Sequence, residues 1–582
     1  MLALDLNAFH HLLLDGNAVS VRVRSILSLK FAPDAAIGGG IEVARAGGTH
    51  FAAFCPAECT LKTFDIPRAI AGRIGIGHVL RNNRLPFSGM LGHRKGQFED
   101  VQVREHRGFS LDRFQPRLNR DSFRNGFGTK AESKNMQDYL ETLERCLAQA
   151  QLVRPVGRVK EVRGGLVCIS GLSRHAHIGD RLTLRRSFGD TLGGEVLQIK
   201  GSTLEMLPDT TPDGVAIGDR AVLRENSGFA PGDHWIGRVI DPFGQPLDGD
   251  PLLPGMRDLD IMQAPPPAVS RQPLGSRLDT GLAVTNTLLP IVEGQRLGLF
   301  AGSGIGKSRL LAQLAQRMQA DVVVVALVGE RGREVNDFVQ RVLGPEGMRR
   351  SVVVAATSDQ SALTRRRCAW SAMTVAEYFR DQGKSVLFLA DSITRFAEAH
   401  REIAVAGGEA PALRGFPPSV TPLITALCER SGPGAKGKGF ITAVFSVLVA
   451  GSDMDEPIAD ILRGVLDGHF VLNREIAERG RFPAIDVGKS VSRSLPDAAS
   501  DSENAMIAEV RKLLGAYENA EVMIKAGLYS EGADATLDQA VRIWPDLDRF
   551  FAKSEPGRVQ DSFNRLELML RRVPAVHERG QK

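Results

Sequence analysis

The stretch GLFAGSGIGKSRLL, residues 298–311, constrains the fold more than any other part of the chain. An apolar run leads into glycines at 302, 304 and 306. Lys307 and Ser308 then open a segment with Leu310, Leu311, Leu314, Ala315 and Met318 at helical spacing. The pattern predicts a buried strand, a tight turn and an amphipathic helix. Glycines let successive backbone N–H groups turn inward onto anionic oxygens, and the helix N-terminus adds its positive dipole. The pattern departs from the strict form only in having Ala301 at its first position. Phosphate contacts are expected from Gly302, Ser303, Gly304, Ile305, Gly306, Lys307, Ser308 and Arg309. Lys307 is expected to reach the β- and γ-phosphates of a nucleoside triphosphate, and Ser308 to ligate Mg2+.

Such a cradle needs acidic partners. SVLFLAD, residues 385–391, is an apolar run ending in Asp391, a second expected Mg2+ group. VVVVALVGERGREV puts Glu330 and Arg331 directly after another apolar run. The carboxyl ends of parallel strands are where open α/β sheets place ligands. Glu330 is therefore the expected carboxylate for orienting an attacking water. A solvated Glu-Arg turn and a turn-capping Asp are the plain alternatives.

The texture of the chain changes along its length. Residues 1–135 hold eleven of the 27 Phe, no Trp or Tyr, and weak periodicity. They read as a poorly ordered extension or as sequence upstream of a true start at Met136. Met136, Tyr139, Leu140, Leu143, Leu147 and Ala150 fall at helical spacing, so 136–153 is expected to be an amphipathic helix. Six short runs separated by Gly and Asp over 154–226 predict a small β-barrel. Asp321–Gly329, Ser351–Thr357, Ser385–Asp391 and Phe440–Leu448 are continuous apolar runs within 227–497. Continuous rather than alternating hydrophobicity predicts a parallel sheet covered on both faces. Residues 498–582 read as helical.

Composition excludes some classes. The net charge of +5 is concentrated in residues 1–135, with 19 basic against 12 acidic side chains; the remainder has 54 against 56. That remainder lacks a basic footprint, so no nucleic-acid partner is expected. Six scattered cysteines suit reduced thiols, and Cys55 and Cys59 lack a second pair to complete a zinc site. His175 and His177 read as a solvated loop. No apolar run reaches the length of a membrane span.

Several segments together resemble the type III secretion ATPases, relatives of the F1-ATPase α and β subunits. They are AGSGIGKS, GERGREV, FLADSITRFAEAHREI, RGFPPSV, EPIADILRGVLDGHFVLNREIAERGRFPAIDVGKSVSRS and TLDQAVRIWP. The resemblance runs from about Met136 to the C-terminus. It implies an α/β fold with a RecA-like P-loop core and parallel sheet, preceded by the small β-barrel and followed by a helical C-terminal domain. It implies ATP and Mg2+ as ligands, Glu330 as catalytic carboxylate and Arg331 as a phosphate-side partner. Phe482 would stack on adenine, and Arg493 would be an arginine finger reaching a neighbouring subunit's site. Catalytic Glu and finger on one chain imply a homohexamer. The implied partners are a stalk protein, a negative regulator on the 136–150 helix, an export gate and chaperone–substrate complexes. The implied place is the cytoplasm, peripheral to the inner face of the plasma membrane. DQSALTRRRCAWSAMTVAEYFRDQG and GLSRHAHIGDRL look closer to flagellar than to virulence members. A rotary F- or V-type subunit, an RNA-driven ring helicase or termination factor, and a separate binding module in residues 1–135 remain as alternatives.

Overall fold

The computed structural model describes residues 154–572, apart from 188, 225–228, 450–453 and 455, together with three strands near the N-terminus. The chain divides into two units, 1–118 and 119–582. In the first, β1 (Glu42–Val43), β2 (Thr49–Phe54) and β3 (Leu61–Ile66) form an antiparallel sheet in that order. The expected 136–153 helix and the Cys55–Cys59 pair lie outside the described residues.

The second unit begins with a closed barrel. Its strands are β4 (Val156–Arg163), β5 (Leu166–Ser170), β6 (Arg181–Arg185), β7 (Thr191–Lys200), β8 (Thr203–Pro208) and β9 (Arg220–Leu223). They close in the order β4-β5-β8-β7-β6-β9. Short alternating runs such as LVCIS and RLTLR bury every second residue, which fills the interior with Val167, Ile169, Leu182, Leu184 and Leu204.

A nine-stranded sheet follows. It comprises β10 (Val239–Ile240), β11 (Arg296–Ala301), β12 (Val322–Glu330), β13 (Ser351–Thr357), β14 (Ser385–Asp391), β15 (Gly432–Pro433), β16 (Phe440–Leu448), β17 (Gly468–Leu472) and β18 (Ile485–Ser492). The order is β10-β13-β12-β14-β16-β11-β17-β18, with β15 beside β16. All pairs are parallel except β15–β16 and the β17–β18 hairpin. Both faces are covered, which is why these strands read as unbroken apolar runs. In β12, Val323, Val325 and Leu327 face one core while Val322, Val324, Ala326 and Val328 face the other.

The first face carries α1 (Lys307–Arg317) and the C-terminal helices; the second carries α2 (Ala362–Asp381), α3 (Ile393–Ala406), α4 (Val420–Arg430) and α5 (Pro457–Val465). The C-terminal helices are α6 (Asp501–Lys525), α7 (Ala535–Phe551) and α8 (Val559–Arg572). Helix α6 starts at a capping box, in which Ser500 and Glu503 satisfy each other's backbone N–H. The barrel is tied to the core by Arg366 to Glu195 at 2.8 Å and by Ser361 to Asp209 at 3.3 Å.

Candidate nucleotide site

Parallel pairing brings the carboxyl ends of β11, β12 and β14 to one edge of the sheet. Ala301 ends β11 and the glycine turn follows. Gly304 and Gly306 both have positive φ, 78° and 91°, a conformation that a side chain would strain. Gly306 is also the N-cap of α1, and no side chain caps that helix. The first-turn N–H groups of α1 are thus left to an external acceptor, the arrangement that binds phosphate. The exposed Ser308 lies in that first turn.

Lys307 leaves the helix towards the neighbouring strand ends. Its ammonium pairs with Asp391 at the end of β14 and lies 3.7 Å from Glu330 at the end of β12. Asp391 is 3% exposed and accepts a second hydrogen bond from Ser446, 2.8 Å away on β16. Glu330 follows a bulge. The β12–β13 register shifts between Val328 and Glu330, and Gly329 takes φ 71° between the side chains of Arg365 and Arg395. Such a bulge re-aims the side chain that follows it. Burial pushes the Glu330 carboxyl up to about 7, Asp391 and Glu334 push the same way, and Lys307 opposes them.

Phe482 lies across the turn. A Cβ on Gly306 would be 3.2 Å from its ring, and the Arg309 guanidinium stands 5.8 Å from the ring centroid. Phe482 is 36% exposed, so part of its ring is accessible to a planar group. Lys307, Ser308, Arg309, Glu330, Asp391 and Phe482 are therefore gathered at one edge. The oxygen donors Ser308 and Asp391 suit a hard cation such as Mg2+.

Two expected residues are not in this cluster. The Arg331 side chain is 83% exposed and its nearest acid is Glu334, at 4.0 Å. It initiates the short helix Gly332–Asp337, which turns it away from Lys307. Arg493 is at the other end of the sheet. Its N–H bonds the Asp467 carbonyl, and Asp467 precedes β17 beside Arg296, the first residue of β11. The length of β11 separates Arg493 from the glycine turn, about 17 Å at ~3.3 Å per residue. That exceeds the reach of an arginine side chain, so Arg493 does not serve its own chain's turn.

Three contributors escaped the motif reading. Ser446 is directly opposite Asp391, because Ala390 pairs with Phe445; its signal was a lone hydroxyl near the carboxyl end of an apolar strand. Glu334 lies in the first turn of the short helix Gly332–Asp337, four residues after Glu330. Arg474 donates to the Ser303 carbonyl at 3.2 Å, joining the glycine turn to the segment after β17; nothing in its sequence setting marks it.

Residues 281–492 match the ATP synthase alpha/beta family nucleotide-binding domain, and residues 499–567 match the T3SS EscN ATPase C-terminal domain. The flagellum-specific ATP synthase of Caulobacter vibrioides is 44% identical over 423 residues, 71% of this chain and 95% of that protein. The SPI-2 type 3 secretion system ATPase of Salmonella typhimurium is 44% identical over 364 residues, 62% and 83% of the two chains. The assembled ATPase EscN of the enteropathogenic E. coli type III secretion system superposes with TM-score 0.66 at 35% identity, covering 71% of this chain and 99% of EscN. A second EscN structure, in complex with its central stalk EscO, gives 0.64. The chain belongs to the flagellum-specific ATP synthase and type III secretion ATPase family, within the ATP synthase alpha/beta superfamily.

Proposed function

We propose that the chain hydrolyses ATP as a homohexameric ring and so energises protein export through a type III apparatus, the flagellar one. The convergence of Glu330 and Asp391 on Lys307, at the mouth of an uncapped helix N-terminus, carries the reading of hydrolysis. Relatives named for the flagellum at up to 44% identity support the choice of apparatus.

In this reading the N–H groups of 302–308 and the Lys307 ammonium hold the β- and γ-phosphates, while the accessible part of the Phe482 ring takes the adenine. Mg2+, held by Ser308 and the Asp391 side, would offset charge on the phosphate oxygens. Ionised Glu330 accepts a hydrogen bond from the attacking water and takes its proton as the γ-phosphorus bond to the ADP oxygen breaks. Arg493 enters from the adjacent copy and steadies charge on the transferred group. Arg331, exposed beside the site, is assigned to the phosphate side of an assembled ring, where it has room to swing inward.

A ring with one chain type needs no sister subunit, which separates this reading from a rotary machine with two. EscN assembly and its EscO complex support self-association and a stalk partner. The resemblance adds a negative regulator, an export gate and chaperone–substrate complexes, met at the inner face of the plasma membrane; no described helix is long and apolar enough to cross one. Release and unfolding of export substrates is the work assigned to the ring. The test is a Glu330→Gln chain replacing the native one in its host. It should bind ATP, lose turnover and lose secretion of flagellar proteins. Normal secretion with turnover abolished would sink the proposed role.

A further inference from the structure

Asp467 lies where two sets of contacts meet. Its carboxylate takes three bonds from Arg296: Oδ2 from the backbone N–H at 3.0 Å and from Nε at 3.1 Å, and Oδ1 from Nη2 at 3.1 Å. Its N–H returns a bond to the Arg296 carbonyl at 2.8 Å. Its own carbonyl accepts the Arg493 N–H at 3.0 Å and the Gln295 amide at 3.1 Å.

The side chain of Arg493 is held by the same turn. Nη1 donates to the Leu466 carbonyl and Nη2 to the Arg463 carbonyl, each at 3.1 Å. These carbonyls belong to the last turn of α5 and its cap. Helix C-terminal carbonyls lack intrahelical donors and carry partial negative charge, so a guanidinium laid across them is held in position and orientation. Arg296 is the first residue of β11, whose last residue leads into the glycine turn. A continuous run of bonds thus joins the turn that holds one nucleotide to the arginine assigned to the next.

The pair of Asp467 with Arg296 is largely buried, with side-chain accessibilities of 18% and 26%, and its two-pronged geometry fixes direction as well as bridging the charges. Arg296 also binds Glu429 at 2.6 Å, so it keeps an acidic neighbour without Asp467.

We propose that Asp467, clamped by Arg296, is a positioning residue for Arg493. It fixes the turn whose carbonyls aim the guanidinium at the adjacent copy's nucleotide. The proposal rests on the reading that Arg493 acts between subunits.

The test is a double-mutant cycle on the assembled full-length protein with ATP. Asp467→Asn should lower kcat about tenfold and leave the KM for ATP and the ring population within about twofold. In an Arg493→Ala background, the same change should cause no further loss, because the group it aims is gone. Asp467→Glu, which keeps the charge, should restore part of the rate. Unchanged kcat in assembled Asp467→Asn, or losses that multiply in the double variant, would overturn the proposal. Should Asp467→Asn not assemble, Arg296→Lys carries the same cycle, since lysine keeps the charge and loses the two-pronged grip. Failure of both to assemble would mark the pair as a purely structural staple and overturn the proposal too. Full turnover by Arg493→Ala would instead refute the intersubunit reading beneath it.

Discussion

Glu330 is an acid held near half-ionised at neutral pH. Its ordinary range is near 4.5, and burial raises it to about 7, with help from Asp391 and Glu334. A carboxylate that takes a proton from water must first be ionised. The kcat/KM for ATP should therefore rise as pH climbs through 7 and level off above it. Glu334→Gln removes one of the charges that raise the group, so its profile should shift to lower pH; superimposable profiles for the two proteins would refute this account. Asp391 and Glu330 were legible in the sequence because each closes an apolar strand, and Lys307 because it closes the glycine turn after one; parallel pairing then gathers all such ends. Ser446 and Arg474 were not legible. Each matters only through a neighbour set by strand register or chain reversal, and a residue's own surroundings in sequence do not encode that. Arg331 shows the reverse. It abuts Glu330 in sequence, but the bulge and the helix that follow turn it out to solvent.

Among elements, the readable ones were those whose environment is uniform. Ser351–Thr357, Ser385–Asp391 and Phe440–Leu448 appear at the expected bounds, and the run expected at Asp321–Gly329 is found one residue later. All four are buried on both faces. The β17–β18 hairpin was legible only as a motif. β18 is an edge strand, and IDVGKSVS buries its residues irregularly, so neither period stands out. Helix α6 was readable in its body, and its start is fixed by the Ser500–Glu503 box. Ser500→Ala should cost about 1 kcal/mol of stability. Denaturant unfolding followed by far-UV circular dichroism measures it, and an unchanged midpoint would show that packing against α7 alone sets the start of the helix.

At the scale of the whole molecule, each chain holds a nucleotide turn at one edge of its sheet and the proposed finger at the other. Two separately inactive chains, Lys307→Ala and Arg493→Ala, should then complement each other. Mixed in equal amounts before assembly, they should recover about a quarter of native turnover, the chance that an intact turn meets an intact finger in a head-to-tail ring. A mixture that stays inactive while still forming rings would place both groups in one chain's site. This division could be anticipated from Glu330 and Arg493 occurring together; the opposition of the two edges could not, because it depends on the antiparallel turn after β17.

That turn has a consequence for how such a chain can change over generations. β18 begins three residues after Phe482 and ends one residue before Arg493, and its eight residues lie against only five of β17, about 13 Å of strand, so its paired ends set the spacing between the proposed base-facing ring and the proposed finger. Loss or gain of one residue in the paired ends would turn the adjoining side chains to the opposite face, whereas the irregularity between Asp486 and Val491 can take up a change. The damage would reach two active sites at once, one in each of two adjacent subunits. Insertions should therefore accumulate elsewhere in descendants of this gene, while the paired ends of this edge strand keep their lengths even where their letters drift.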